Sequence, residues 1–133
     1  MSATTQGRFP ARMAQIDAAI ALVEDHCQRS GVARDDMLRL TLVVEELFTN
    51  TVEHGHGGDG TREVRLRITA LDDGVALLYE DDAPPFDPLA APLPDAHAVG
   101  GRGIALVTGL SRSVRYARED GRNRLWIEFA CRG

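Results

Sequence analysis

Lysine is absent from this chain of 133 residues, so all 15 basic side chains are arginine. Acidic residues outnumber them, and the formal net charge is −5. That balance argues against direct nucleic-acid binding, because neutralising phosphates takes a surplus of basic side chains. Cysteine is scarce as well. Cys27 and Cys131 lie far apart and outside any metal-ligand spacing, and Cys27 falls on an apolar helical stripe, which predicts a buried free thiol. No apolar run approaches the ~18 residues of a membrane span, and the opening "MSATTQGRFPARMAQ" has no long apolar core. A cytoplasmic protein with no membrane partner is expected.

Hydrophobic residues make up 44% of the chain and charged ones 26%, the ordinary mixture of a globular protein. Its length allows one domain, 1–133, with a core that needs no disulfide staples. Met13, Ile16, Ile20, Val23 and Cys27 recur at helical spacing, predicting a first helix entered through Pro10 and stopped near Gly31. Leu40, Val43, Val44 and Leu47 repeat the pattern, predicting a second helix from about Asp35 to about His54, with Asp35 and Asp36 in its positive first turn. "REVRLRITAL" alternates as a strand with one buried face does, Asp72-Asp73-Gly74 reads as a hairpin turn, and "VALLYED" reads as a more central strand.

Five of the six prolines then crowd into "DAPPFDPLAAPLPDAHAVGGRG", which has no usable period. A long irregular segment inside a compact domain is usually functional, as a lid or binding loop. "IALVTGL" reads as a third helix starting from glycines, and "RSVRYARED" and "NRLWIEFAC" as a last hairpin turning at Asp120-Gly121. Three helices against one mixed, mostly antiparallel sheet make an α+β fold, a two-layer sandwich.

Three short motifs carry chemistry. Glu46, Asn50 and His54 recur every four residues along the second helix and so form a polar stripe beside the apolar one. "EDDAPPFDP" puts carboxylates at a strand end before a proline turn. "GGRGIALV" opens a helix from glycines, whose amides can approach a phosphate closely at a helix N-terminus.

In this order, "EELFTNTVEHG", "YEDDAPPFDP" and "GGRGIALV" resemble the GHKL (histidine-kinase-like) ATPase superfamily. Within it the chain is most similar to the bacterial anti-sigma-factor serine/threonine protein kinases, and the resemblance runs from the first helix to the last strand. It implies an enzyme that uses ATP and Mg²⁺, phosphorylates an anti-anti-sigma (STAS-type) protein, holds a sigma factor inactive and forms a homodimer. Glu46 then matches the base that takes the proton of the attacking hydroxyl, and Asn50 the amide ligand of Mg²⁺. Asp81 matches the acceptor of the adenine amine, whereas Asp82 reads as a solvated neighbour. Gly101 and Gly103 match the glycines at the phosphates, Arg102 neutralises phosphate charge, and 87–99 forms the ATP lid. His54 is either a phosphate-side neighbour or an internally satisfied histidine at the helix end.

Two positions depart from the family pattern. Ala83 stands where glycine is usual, and its methyl group and restricted φ imply weakened or merely tolerated ATP binding. Asn123 is the stand-in for a threonine that in many relatives supports the adenine through water. The alternative is a binding module that keeps the ATP fold but regulates by docking alone.

Overall fold

The computed structural model describes residues 4–54, 62–85 and 106–131. Strand β1 (Thr4–Pro10) is followed by a 3₁₀ turn (Met13–Gln15), α1 (Ile16–Ser30) and α2 (Arg34–His54). The hairpin of β2 (Glu63–Leu71) and β3 (Gly74–Asp81) comes next, then helix α3 at 106–110 and the hairpin of β4 (Ser113–Glu119) and β5 (Arg122–Ala130). The strands form one sheet in the order β1-β2-β3-β5-β4, and every described pairing is antiparallel. The helices pack on one face of it, giving the expected two-layer α+β sandwich.

The core follows the periodicities of the chain. Val23 and Cys27 of α1, Leu40, Val44 and Phe48 of α2, and alternate residues of β2, β3 and β5 share one buried cluster. Full burial of each large apolar side chain contributes about 1.5–3 kcal/mol. Cys27 is a free buried thiol, as its position on the stripe predicts, and burial raises its pKa to about 11. Such a group is inert at neutral pH. Gly31 ends α1 at φ 72°, a left-handed cap that glycine adopts without strain.

Both hairpins lie where their turn residues predict. Asp120 and Gly121 have φ of 53° and 74°, the paired left-handed residues of a two-residue turn that matches strand twist. Gly74 has a different reason to be glycine. A Cβ there would sit 1.8 Å from the carbonyl oxygen of Phe129, so β3 and β5 can meet only without a side chain at this point.

Strand β1 has no counterpart in the sequence-based expectation, and Pro10 closes it instead of opening α1. Only Thr5, Gly7 and Phe9 turn toward the helices, too few apolar groups to make a strand pattern. The ladder to β2 and the packing of Phe9 on the core hold the strand, and polar contacts tie it to α1. Arg29 Nη2 donates to Thr5 Oγ1 at 2.9 Å, and the same hydroxyl lies 2.9 Å from Nδ1 of buried His26. Nε2 of His26 faces the Ser30 hydroxyl at 3.4 Å.

Burial lowers the pKa of His26 below its usual 6.5, the positive charge of Arg29 lowers it further, and Asp25 opposes both. The unfolded chain therefore takes up this proton first as pH falls. Stability from neutral His26 is complete above pH 6.5 and declines as pH drops through 6.5 toward the lowered value. Thermal melts should show a steeper loss over that window in the parent than in His26→Gln, which keeps a hydrogen bond without a titrating ring. Equal slopes would mean that His26 does not govern acid stability.

Candidate nucleotide site

The carboxylate of Asp81, at the end of β3, is the centre of a buried polar cluster. Its Oδ2 accepts a hydrogen bond from Thr51 Oγ1 at 2.8 Å. Its Oδ1 accepts from Asn123 Nδ2 at 2.9 Å and from the Ala83 amide at 3.2 Å. A carboxylate has about four acceptor positions. Three are used, and the one left is on Oδ2.

Thr51 makes this possible because it lies on the inner face of α2 and ties that helix to the strand. The phenol of Tyr79 reaches Thr51 Oγ1 at 2.5 Å and the Leu47 carbonyl at 3.0 Å. Each hydroxyl has one proton, so Tyr79 donates, Thr51 accepts, and Thr51 passes its own proton on to Asp81. Burial, and then the charge of Asp81, hold the Tyr79 pKa well above its usual 10. Tyr79 therefore stays a neutral donor.

Neither Thr51 nor Tyr79 is among the residues expected from sequence, although both left a signal. Thr51 interrupts the apolar stripe that runs through Leu40, Val44 and Leu47. Tyr79 stands two residues before Asp81 and so shares its face of β3.

Asn123 is paired in register with Asp81 across β3 and β5. It also donates to the Pro84 carbonyl at 3.0 Å and accepts from the Tyr116 hydroxyl at 2.6 Å. One amide thus fixes both the carboxylate and the turn that follows it. Arg118 Nη1 donates to the Ala83 carbonyl at 2.6 Å, a second hold on the same turn. Ala83 is buried, and its φ is not positive, so the backbone there makes no demand for glycine. Asp82 differs from the expected solvated neighbour: its Oδ1 accepts from the Glu63 amide at 3.1 Å, and its carbonyl accepts from Arg62, closing the start of β2 onto the end of β3.

Glu46 and Asn50 lie one turn apart on α2, half-buried, and neither has a hydrogen-bond or ionic partner among the described residues. Because Asn50 precedes Thr51, the middle of the stripe adjoins the residue that ties α2 to Asp81. His54 is the last residue of α2, and its side chain lies outside what is described, as do the expected phosphate residues Gly101, Arg102 and Gly103 and the lid at 87–99. Of the residues expected from sequence, Asn50 is the one that would hold a Mg²⁺. Its amide oxygen is a hard neutral donor with no competing partner, which suits an ion bound mainly by phosphates and water.

A family model described as histidine kinase-like ATPase domain matches residues 9–129. The serine-protein kinase RsbW of Bacillus licheniformis is 29% identical over 103 residues, covering 70% of this chain and 64% of that protein. The same-named protein of Bacillus subtilis (strain 168) is 28% identical over the same shares. This chain thus spans under two thirds of the length of either relative. Among solved structures, the RsbU and RsbW domains of Rv1364c from Mycobacterium tuberculosis superpose with a TM-score of 0.67 at 16% identity, over 95% of this chain and 32% of that one. The catalytic domain of histidine kinase ThkA gives 0.56 at 10% identity, over 95% of this chain and 97% of that one. At such identities the likeness is one of fold.

Proposed function

The chain belongs to the histidine kinase-like ATPase domain family, and from that premise we propose that it is an ATP- and Mg²⁺-dependent serine/threonine protein kinase. Its substrate would be an anti-anti-sigma protein of STAS type, and its second partner a sigma factor that it holds inactive. The observation that carries this reading is the Asp81 carboxylate, 9% exposed, held by Thr51, Asn123 and Ala83 and left with one acceptor position. An acceptor fixed in that way suits the exocyclic amine of adenine and opposes the carbonyl of guanine.

Along α2, Asn50 would hold the magnesium ion, which neutralises phosphate charge when bound. Glu46 would take the proton of a serine or threonine hydroxyl as that oxygen bonds to the γ-phosphorus and the bond to the ADP oxygen breaks. Gly101, Arg102 and Gly103 would hold the phosphates, with His54 near them. The named activity of the Bacillus relatives supports the kinase reading.

Calorimetric titration with ATP and GTP, each with Mg²⁺ and with EDTA, tests it. ATP should bind with Mg²⁺ and be strongly preferred over GTP. Equal binding of both nucleotides would remove the adenine assignment. Labelled-phosphate transfer to a co-purifying partner tests the kinase itself, and partner binding without transfer would leave regulation by docking alone.

Ala83→Gly separates the methyl group from the rest of the turn. The substitution removes a buried methyl and adds unfolded-state entropy, together about 1–2 kcal/mol of stability. Since φ at 83 is already negative, relief of strain adds nothing. ATP affinity should then stay within about a factor of two while the melting temperature falls. A gain of tenfold or more would show that the methyl obstructs the base.

A further inference from the structure

The sheet face turned away from the helices carries charge of both signs, with Glu63, Glu119 and Glu128 in its outer rows, and concentrates positive charge in the two rows between them. Antiparallel register aligns its outward side chains in rows that cross the strands. One row runs Gln6, Arg67, Leu78, Trp126, Arg115, and its neighbour runs Arg8, Arg65, Glu80, Arg124, Ala117. Five guanidinium groups therefore share two rows with a single carboxylate. That carboxylate is spent, because Arg124 Nε holds Glu80 Oε2 at 2.8 Å. Arg8 and Arg67 have no ionic partner among the described residues.

Apolar surface lies between the charges. Half-buried Trp126 supplies it at the centre, packed beside the buried Leu78, with the Arg115 guanidinium 4.8 Å and that of Arg124 5.3 Å from the Trp126 ring centroid. Two shallow grooves of about 430 and 590 Å³ run over this surface, and Arg67 lines both.

We propose that this face docks an acidic partner protein, one whose carboxylates flank an apolar side chain that seats on Trp126. Charge complementarity selects that occupant. Three strand spacings separate Arg67 from Arg115, about 14 Å, so two carboxylates either side of one apolar contact match them. A second copy of this chain placed symmetrically on the face would set arginine rows against arginine rows. A nucleic acid would meet a net charge of −5 as soon as it extended beyond the patch. Glu80 and Asp81 are adjacent in β3 and point to opposite faces, so the docking surface backs onto the candidate nucleotide site. It does not depend on what that site binds.

Trp126 is the only tryptophan, so its fluorescence reports on this face alone. The probe is a synthetic peptide of alternating Glu and Leu, added to the full chain, with a Lys and Leu peptide as control. Because the chain is acidic, general attraction would favour the control. The acidic peptide should shift Trp126 emission saturably, and added salt should weaken it. The double reversal Arg67→Glu with Arg115→Glu, both at exposed positions, should weaken binding at least about tenfold, and the milder Arg67→Gln with Arg115→Gln by less. Circular dichroism of both variants checks the fold.

The proposal is overturned if the acidic peptide leaves the emission unchanged, or if both variants fold and bind it as the parent does. Tighter binding of poly-uridine RNA would make the face a nucleic-acid surface instead. An emission shift with protein concentration alone, lost in the double reversal, would make it an interface between two copies.

Discussion

Replacing Asp81 by asparagine is expected to weaken ATP binding by about 10- to 100-fold, the value of one charge-assisted hydrogen bond, with the fold retained. The surrounding donors allow the new amide only one orientation. Its oxygen must replace Oδ1, where Asn123 Nδ2 and the Ala83 amide both donate. Its NH₂ group then replaces Oδ2 and faces Thr51. Thr51 can accommodate it by turning its own proton to the Leu47 carbonyl, 3.1 Å away, and accepting from the amide. The cluster stays satisfied, so the melting temperature should change little. What changes is the position left for the ligand. It presents a donor where a carboxylate could only accept, so the adenine amine is opposed and the guanine carbonyl is favoured. Discrimination between ATP and GTP should therefore collapse along with affinity. A variant that melts normally and binds ATP as tightly as the parent would remove Asp81 from adenine recognition.

That carboxylate was legible from the sequence, but its supports were not, for a physical reason. The Asp81 motif is local: a strand end, a turn and two prolines. Asn123 reaches it only through the pairing of β3 with β5, two strands separated in sequence by the proline-rich segment, α3 and β4. Register across such a connection follows from packing, not from any short pattern. The elements set by hydrophobic period or turn chemistry, α1, α2 and the two hairpins, emerge close to where the residues predict. Strand β1 escapes because Thr5 is anchored by His26 and Arg29, polar partners more than 20 residues further along. The polar stripe on α2 was legible because helical spacing alone aligns it.

Glu46→Gln should cut phosphoryl transfer by about 10²–10⁴-fold, the usual cost of removing a general base, while ATP binding persists. Glutamine matches the shape of glutamate and can still hydrogen-bond, but it cannot take up the hydroxyl proton at neutral pH. The substitution is structurally mild. Glu46 is half-buried with no partner among the described residues, so no donor or acceptor is orphaned when it changes. The Asp81 cluster is anchored through Thr51, more than a turn further along α2, and should not move. Asn50→Ala has a different signature. It removes the amide oxygen proposed for the metal, so it should flatten the Mg²⁺ dependence of binding as well as slow transfer. Measuring labelled-phosphate transfer beside equilibrium ATP binding, for both variants and the parent, separates the two roles. If Glu46→Gln transfers phosphate to a true partner at the parental rate, another group takes the proton. If Asn50→Ala keeps the full Mg²⁺ dependence, the ion is held elsewhere, and the free stripe on α2 serves partner contact instead of chemistry.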